Sequence, residues 1–162
     1  MNFNADFYLN YYAQSKKRAS FWASIAGLLL PFILGTGFYL HFDNYPVFIF
    51  ECLVCVVLSA ALIYSVTVIE GRNLNKIISQ IEINQDTINF TTYSYGFSIF
   101  KINARQLEMN KGELTIKEVV FPFNSFGLDH NKTLKLVYNG ADFFLVYDCF
   151  PVELKAQLTA LA

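Results

Sequence analysis

The sequence is poor in the residues from which most enzyme centres are built. Among its 162 residues there are two histidines, His41 and His130, and three cysteines. It contains no glycine-rich phosphate loop, no paired-histidine metal motif and no nucleophile elbow, each of which has a defined residue spacing. Asp148 beside Cys149 has no recognisable triad partner. We therefore predict that the protein is not an enzyme and that it has no catalytic residues, metal site or cofactor.

The three cysteines are too few for a disulfide framework. Cys52 and Cys55 have the C-x-x-C spacing, but they lie inside an apolar run, whereas a thioredoxin-type motif belongs to a soluble βαβ unit. We interpret them as small packing residues of a membrane helix, and Cys149 as a thiol of the domain core.

The sequence also lacks an excess of charge of either sign, because its formal net charge is −1. Residues 78–162 hold seven Lys or Arg and nine Asp or Glu. A surface that binds a nucleic acid polymer needs clustered cations facing the phosphates. This balance argues against nucleic acid as a partner.

Two long apolar runs dominate what the chain does contain. Residues 19–40 are 22 residues with no charged side chain, and residues 45–69 are 25 residues with one, Glu51. About 20 apolar residues span a bilayer as a helix. We predict a two-helix transmembrane hairpin over residues 19–70, with a tight turn at residues 41–44, so the lipid bilayer is the first predicted partner.

Positive side chains flank the predicted hairpin on one side. Lys16, Lys17 and Arg18 precede the first run, Arg72 and Lys76 follow the second, and the turn has neither Lys nor Arg. By the positive-inside rule the turn lies outside and both termini lie in the cytoplasm. The prediction is a two-pass protein of the bacterial inner (cytoplasmic) membrane.

Glu51 is predicted to lie near the outer end of the second span. A carboxylate at that depth costs free energy unless it reaches the headgroups or a partner. Two interpretations stay open: the side chain extends to the headgroups, or it makes a polar membrane contact. That contact would be with another membrane subunit, as in a larger membrane machine, or with a cation held together with His41 and Asp43.

Residues 1–18 are predicted to be an amphipathic segment of the membrane interface, in which residues 3–14 form a short helix. Asp6, Asn10 and Gln14 fall on one face, and aromatic side chains fall largely on the other. The aromatic residues are Phe3, Phe7, Tyr8, Tyr11 and Tyr12. The equal alternative is that the aromatic face packs against the soluble domain.

From residue 78 the apolar residues alternate with polar ones, which is typical of β-strands. Residues 84–87 and the pair Asn139-Gly140 lie between alternating runs, and Asn-Gly is the strongest short hairpin signal. Pro151 and the leucines that follow it at helical spacing predict an amphipathic C-terminal helix. We predict an all-β domain over residues 78–162, with seven or eight short antiparallel strands and a capping helix.

The order of these elements resembles that of membrane-anchored bacterial pleckstrin-homology-like (PH-like) proteins. The resemblance lies in the first hairpin at 81–90, the last hairpin at 132–148 and the terminal helix at 151–162. It implies a small PH-like β-barrel that serves binding or assembly and has no catalytic residues. We therefore expect a cytoplasmic domain that binds or scaffolds a protein partner or a second copy of the chain.

An aromatic-rich segment is the candidate surface for that partner. The segment contains Tyr93, Tyr95 and Phe97, in a domain of which thirteen residues are Phe or Tyr. Clustered exposed aromatic rings mark interaction sites. The equal alternative is that these rings rest against the membrane or against the N-terminal helix.

The chain is also similar to the two-helix β-barrel effectors of cyclic-oligonucleotide antiphage systems. In those proteins the barrel senses a nucleotide second messenger and the membrane part oligomerises. The resemblance implies that lysines meet the phosphates of a cyclic nucleotide and that aromatic rings stack on its bases. The candidate side chains are Lys111, Lys117, Lys132, Lys135, Tyr93, Tyr95 and Phe126. The alternative is that they are solvated strand faces and core residues.

Overall fold

The computed structural model describes residues 1–41, 45–96, 101–111, 116–123 and 132–161. Two long helices form one part of the molecule, and two small antiparallel sheets with a C-terminal helix form the other. The helices are α1 Phe7–His41, α2 Tyr45–Tyr64, α3 Glu70–Leu74 and α4 Val152–Leu161, with a π-helix Ser65–Ile69 between α2 and α3. The strands are β1 Asn2–Asn4, β2 Ile78–Ile83, β3 Thr87–Thr92, β4 Gln106–Asn110, β5 Ile116–Val119, β6 Thr133–Tyr138 and β7 Ala141–Val146.

Two helical segments are long and apolar enough to cross a membrane, as predicted. They are Phe7–Gly37 and Phe48–Leu74, with mean hydropathies of 1.6 and 2.6. Large apolar side chains on them point away from the protein, for example Phe32, which is 74% exposed, and Phe50, which is 67% exposed. Contact between such a surface and lipid hydrocarbon costs no free energy, whereas its exposure to water is unfavourable.

Small residues let the two long helices approach closely. A Cβ atom on Gly27 would lie 2.8 Å from Ile63 Cγ1, and one on Gly35 would lie 3.4 Å from Cys52 Sγ. In a membrane, helix association depends on van der Waals packing of this kind, because lipid tails are as apolar as the side chains. The two glycines therefore hold α1 against α2 along two turns of the hairpin.

The N-terminal segment differs from the predicted interfacial helix. Residues Asn2–Asn4 form β1, an edge strand that pairs antiparallel with β2. Asp6 then begins the helix, since its Oδ1 accepts the Leu9 N–H at 3.0 Å. With no proline or glycine before Gly27, α1 runs without a break into the apolar span. The chain thus contributes a strand to the β-domain before its first apolar span.

The β-domain contains a four-stranded sheet in the order β1-β2-β3-β4 and a three-stranded sheet in the order β5-β6-β7. In the β2–β3 hairpin Ile83 pairs with Ile88, as the alternation predicts. At the β6–β7 turn, Asn139 has φ 49° and Gly140 has φ 73°. This left-handed pair is what a two-residue hairpin turn requires. Both hairpins therefore lie where the sequence predicts them.

One hydrophobic core lies between the sheets and α4. From α4, Leu154 and Leu158 enter it and are 0% and 3% exposed. The two sheets meet where Ile77 pairs in parallel with Phe144, and within the described residues they do not close into a barrel. The prediction of a small antiparallel β-domain with a C-terminal helix is therefore confirmed. Between residues 78 and 148 the structure describes six strands, where the sequence predicts seven or eight, and residues 97–100, 112–115 and 124–131 lie outside the described residues.

Candidate functional site

Tyr95, which follows β3, joins the β-domain to the membrane hairpin. Its side chain is 1% exposed. The hydroxyl donates to the Val66 carbonyl oxygen in the π-helix at 3.0 Å, and it lies 3.3 Å from the Lys16 carbonyl oxygen in α1. The backbone of Tyr95 pairs with that of Ile102, and this pairing fixes the position from which the side chain extends. One phenol group therefore contacts both helical segments next to the β-domain.

Gly71 in α3 makes room for the Tyr95 ring. A Cβ atom at this position would lie 2.5 Å from Tyr95 Cδ1, which is too close for any stable contact. The adjacent π-helix forms i→i+5 bonds in place of the α-type i→i+4 bonds, and this widens the turn. The Tyr95 hydroxyl meets the Val66 carbonyl within that widened turn. We call Lys16, Val66, Glu70, Gly71 and Tyr95 the junction.

An ion pair between α1 and α3 also belongs to the junction. Lys16 Nζ lies 3.1 Å from Glu70 Oε2, and the two side chains are 18% and 35% exposed. The same ammonium lies 5.7 Å from the centre of the Tyr12 ring. Lys17 reaches Ser94 Oγ at 3.5 Å. Two of the three basic residues before the first span thus tie α1 to α3 and to the residue before Tyr95.

A buried polar network supports the junction from the β-domain side. Asn75, 1% exposed, donates through Nδ2 to the carbonyl oxygens of Tyr93 at 2.9 Å and Asn103 at 2.8 Å. The Tyr93 hydroxyl donates to Asn10 Oδ1 in α1 at 2.8 Å. These contacts are not evident from the sequence, because Asn10 has the spacing of a solvent-facing residue and Asn75 lies between two elements.

Both buried tyrosines have raised pKa values. Burial raises the pKa of Tyr93 well above that of an ordinary tyrosine, and the nearby Cys149 and Asp6 raise it further. Burial also raises the pKa of Tyr95, although the adjacent Ser20 hydroxyl partly offsets this effect. Each phenol is therefore a neutral hydrogen-bond donor at neutral pH.

Three aromatic side chains cover the outer face of the first turns of α1. Phe7, Tyr8 and Tyr11 are 75%, 73% and 59% exposed. The Phe7 ring stacks on Tyr11 and meets Tyr8 edge-on, with ring centres 6.1 Å apart in both pairs. On the inner face, Leu9 and Tyr12 are buried against the β-domain at 0% and 5% exposure. We call Phe7, Tyr8 and Tyr11 the aromatic face.

The residues of the predicted partner surface do not lie together on one exposed face. Tyr93 and Tyr95 are 9% and 1% exposed, so they do not form an exposed patch and instead rest against the helices, which was the alternative interpretation. Phe97 and Phe126 lie outside the described residues. The N-terminal aromatic residues also separate, since Tyr12 packs edge-on against Phe121 while the aromatic face points outward.

The four candidate lysines lie in different parts of the domain. Lys111 Nζ donates to a carbonyl of the β2–β3 turn at 2.6 Å. Lys117 and Lys135 are opposite each other on β5 and β6, and Lys135 forms an ion pair with Asp142 at 2.7 Å. Lys132 is exposed just before β6. The structure therefore brings together Lys117 and Lys135, with an acidic neighbour, and leaves Lys111 on the other sheet.

The membrane hairpin holds the remaining candidate, Glu51. Its Oε2 is buried, with no hydrogen-bond partner in the described part of the chain. His41 ends α1, and Asp43 lies outside the described residues, so the predicted cation contact is not described. A groove of about 630 Å³ runs between α1 and α2 past Gly27, Gly35 and Cys52. Over the described ranges no group of three His, Cys, Asp or Glu has a metal-binding arrangement.

Comparisons with known proteins give no relative for this chain. No family model, no curated protein and no solved structure matches it. The functional assignment therefore depends on the geometry of the junction and of the aromatic face.

Proposed function

We propose that the protein is a non-enzymatic, two-pass inner-membrane protein that holds a protein partner at the cytoplasmic membrane surface. The aromatic face carries this proposal. Three adjacent rings that are 59% to 75% exposed form an apolar patch on a helix whose other side is buried in the β-domain. Contiguous exposed aromatic surface of this kind is typical of interaction sites.

The distance of the aromatic face from the bilayer favours protein over lipid as its partner. Phe7 precedes Ala19, the first residue of the apolar run, by twelve residues, which is about 18 Å along an α-helix. The headgroup layer extends roughly 5–8 Å beyond the hydrocarbon on each side. A typical helix tilt of about 20° shortens that height by only about 1 Å. The rings of Phe7 and Tyr8 therefore lie beyond the reach of the headgroups.

The chemistry of the face indicates what kind of partner fits it. Tyr11 lies four residues after Phe7 and three after Tyr8, the spacings with which a helix inserts anchors into an apolar groove. Two of the three rings carry hydroxyl groups, so the groove needs hydrogen-bond acceptors at its rim. Arg18, exposed farther along the helix, favours a partner with acidic residues on the side nearest the membrane.

The proposed orientation has support from the fold and from the charges. Since β1 pairs with β2, the residues before the first span and those after the second lie side by side. The basic residues Lys16, Lys17, Arg18, Arg72 and Lys76 belong to that same end of the hairpin. The positive-inside rule makes it the cytoplasmic end. The strand pattern of four plus three followed by a helix supports the proposal of a PH-like domain.

Native mass spectrometry of the full-length protein, extracted from its membrane in mild detergent, tests the proposal. We expect a defined complex that contains a second protein in stoichiometric amount. The variant F7S/Y8S/Y11S should lose that protein, because it removes the apolar anchors without touching the inner face of α1. The control V120S/V152S changes two side chains that are 80% and 74% exposed elsewhere, and it should retain the partner. A bare monomer from the wild type, or a partner retained by the triple variant, would overturn the proposal.

A second candidate function is a ligand-gated antiphage membrane effector, in which the β-domain binds a cyclic nucleotide and the helices oligomerise to disrupt the membrane. The junction favours it, because Tyr95 gives the β-domain a direct contact with both helical segments. The same spectra separate the two functions. A homo-oligomer that carries a nucleotide-sized mass, in place of a complex with a second protein, would make the effector the better assignment.

A further inference from the structure

We infer that the π-helix and Tyr95 form a conformational switch that couples the β-domain to the rotation of α2. The inference does not depend on which partner or ligand the protein binds. The π-helix Ser65–Ile69 lies between α2 in the hairpin and α3 beside the β-domain. Single π-turns inside α-helices recur at functional sites. Here the π-helix connects α2 to α3, so a structural change in the β-domain reaches α2 through this turn.

The geometry of the π-helix makes a discrete second state available. Conversion of its wide turn to α-helical geometry would rotate α2 relative to α3 by up to about 100° and shift it by about 1.5 Å, the rotation and rise of one residue. The ends of the segment already have α-helical geometry, with φ −60° and ψ −48° at Tyr64 and φ −63° and ψ −34° at Glu70. The conversion therefore needs rearrangement of the one turn between them.

Tyr95 is the contact that selects the observed state. Its hydroxyl donates to Val66 inside the π-helix at 3.0 Å, and its ring fills the space left by Gly71. Because Tyr95 is held by backbone pairing with Ile102, a displacement of this residue pair moves the phenol away from Val66. The Lys16–Glu70 ion pair keeps α3 on α1 while α2 turns.

In the observed state, the hydrogen-bonding capacity of one buried hydroxyl group in the same turn is not satisfied. Thr67 is 1% exposed, and its Oγ1 has no hydrogen-bond partner among the described residues. Buried polar groups in native proteins are nearly always paired, and exceptions often mark strained or functional positions. Loss of the Tyr95 contact should therefore allow the turn to change register.

Distances between spin labels on the full-length protein in lipid nanodiscs test this inference. The labels replace Phe32 in α1 and Phe50 in α2, which are 74% and 67% exposed, after Cys52, Cys55 and Cys149 are changed to alanine. In this background we expect one distance population for the wild-type junction. Tyr95→Phe keeps the ring and removes the hydroxyl, and we expect it to add a second distance population shifted by several Å. A rotation of α2 by up to about 100° moves the surface of a helix 10–12 Å across by roughly several Å.

Tyr93→Phe is the matched control. It removes an equivalent buried hydroxyl that bonds to Asn10 in α1 and not to the π-helix, and we expect it to leave the distances unchanged. Gly71→Ala displaces the ring by a different route and should reproduce the second population. A single unchanged population in both Tyr95→Phe and Gly71→Ala would overturn the inference. So would an equal shift in Tyr93→Phe, because it would show general loosening in place of a specific switch.

Discussion

At the scale of single residues, three buried polar side chains connect the helices to the β-domain. Asn75, Tyr93 and Tyr95 are each less than 10% exposed, and each one bonds to a group in another element. A buried hydrogen bond contributes about 1 kcal/mol net, whereas an orphaned partner costs about 1–3 kcal/mol. Their main effect is therefore to disfavour any other docking of the β-domain on α1.

The raised pKa of Tyr93 predicts a loss of stability at alkaline pH. An unfolded tyrosine ionises near pH 10, while burial keeps the folded Tyr93 protonated above that value. Its contribution to folding is therefore complete below about pH 10 and is lost as the pH rises further. Thermal unfolding followed by circular dichroism between pH 9 and pH 11 should show a falling midpoint. Tyr93→Phe should lower the stability at pH 8 by about 1 kcal/mol and fall less steeply with pH.

The comparison between the wild type and Tyr93→Phe isolates Tyr93, because every other side chain is the same in both. Equal slopes for the wild type and Tyr93→Phe above pH 10 would contradict the assignment of this phenol as a buried donor to Asn10.

At the scale of elements, the close approach of α1 and α2 depends on where the glycines lie along α1. Gly27 faces Ile63 with no space for a side chain, whereas a Cβ atom on Gly37 would meet nothing within 4 Å. Both residues belong to the same helix and the same apolar run. They therefore form a natural pair for testing the contribution of packing to the hairpin.

Gly27→Ala should destabilise the hairpin by about 1–3 kcal/mol, because the added methyl group forces the helices apart or the Ile63 side chain into a poorer rotamer. Gly37→Ala should cause no loss, since its methyl group enters open space. Unfolding of both variants in mixed micelles of sodium dodecyl sulfate and a mild detergent measures the difference. A loss as large for Gly37→Ala as for Gly27→Ala would show that helix propensity or lipid contact, and not interhelical packing, controls this hairpin.

At the scale of the whole molecule, the β-domain is built from chain on both sides of the hairpin. Asn2–Asn4 pair with β2, although about 75 residues separate the two strands. The Met1 amino group also donates to the Ile83 carbonyl oxygen at 2.8 Å. The N-terminus is therefore part of the folded domain, and the hairpin leaves and rejoins that domain at the junction.

This arrangement predicts that both termini lie on the same side of the membrane, and the positive-inside rule predicts that this side is the cytoplasm. Alkaline phosphatase, which is active after export, should be active when inserted at residues 42–44 and inactive when fused after Ala162. A green fluorescent protein, which folds in the cytoplasm, should give the opposite result at the two positions. Phosphatase activity at the C-terminus would overturn the proposed orientation.

Local patterns predicted much of the fold, because their causes are local. The two apolar helices follow from run length, the β2–β3 and β6–β7 hairpins from alternation and turn residues, and α4 from Pro151 and the leucine spacing. Each of these depends on side chains within about twenty residues of one another. A small antiparallel β-domain after the hairpin was predictable for the same reason.

Long-range contacts decided the rest. β1 has three residues and no pattern that distinguishes it from a loop, and it becomes a strand because β2 offers an unpaired edge. The sequence placed Tyr12 on one helical face with the other N-terminal aromatic residues, and Tyr93 and Tyr95 on a candidate surface, because helical or strand spacing does not reveal which face meets another element. The position of Tyr95 between α1 and α3, against the π-helix, depends on groups that are far apart in the chain. These groups come into contact only where the β-domain packs against the hairpin.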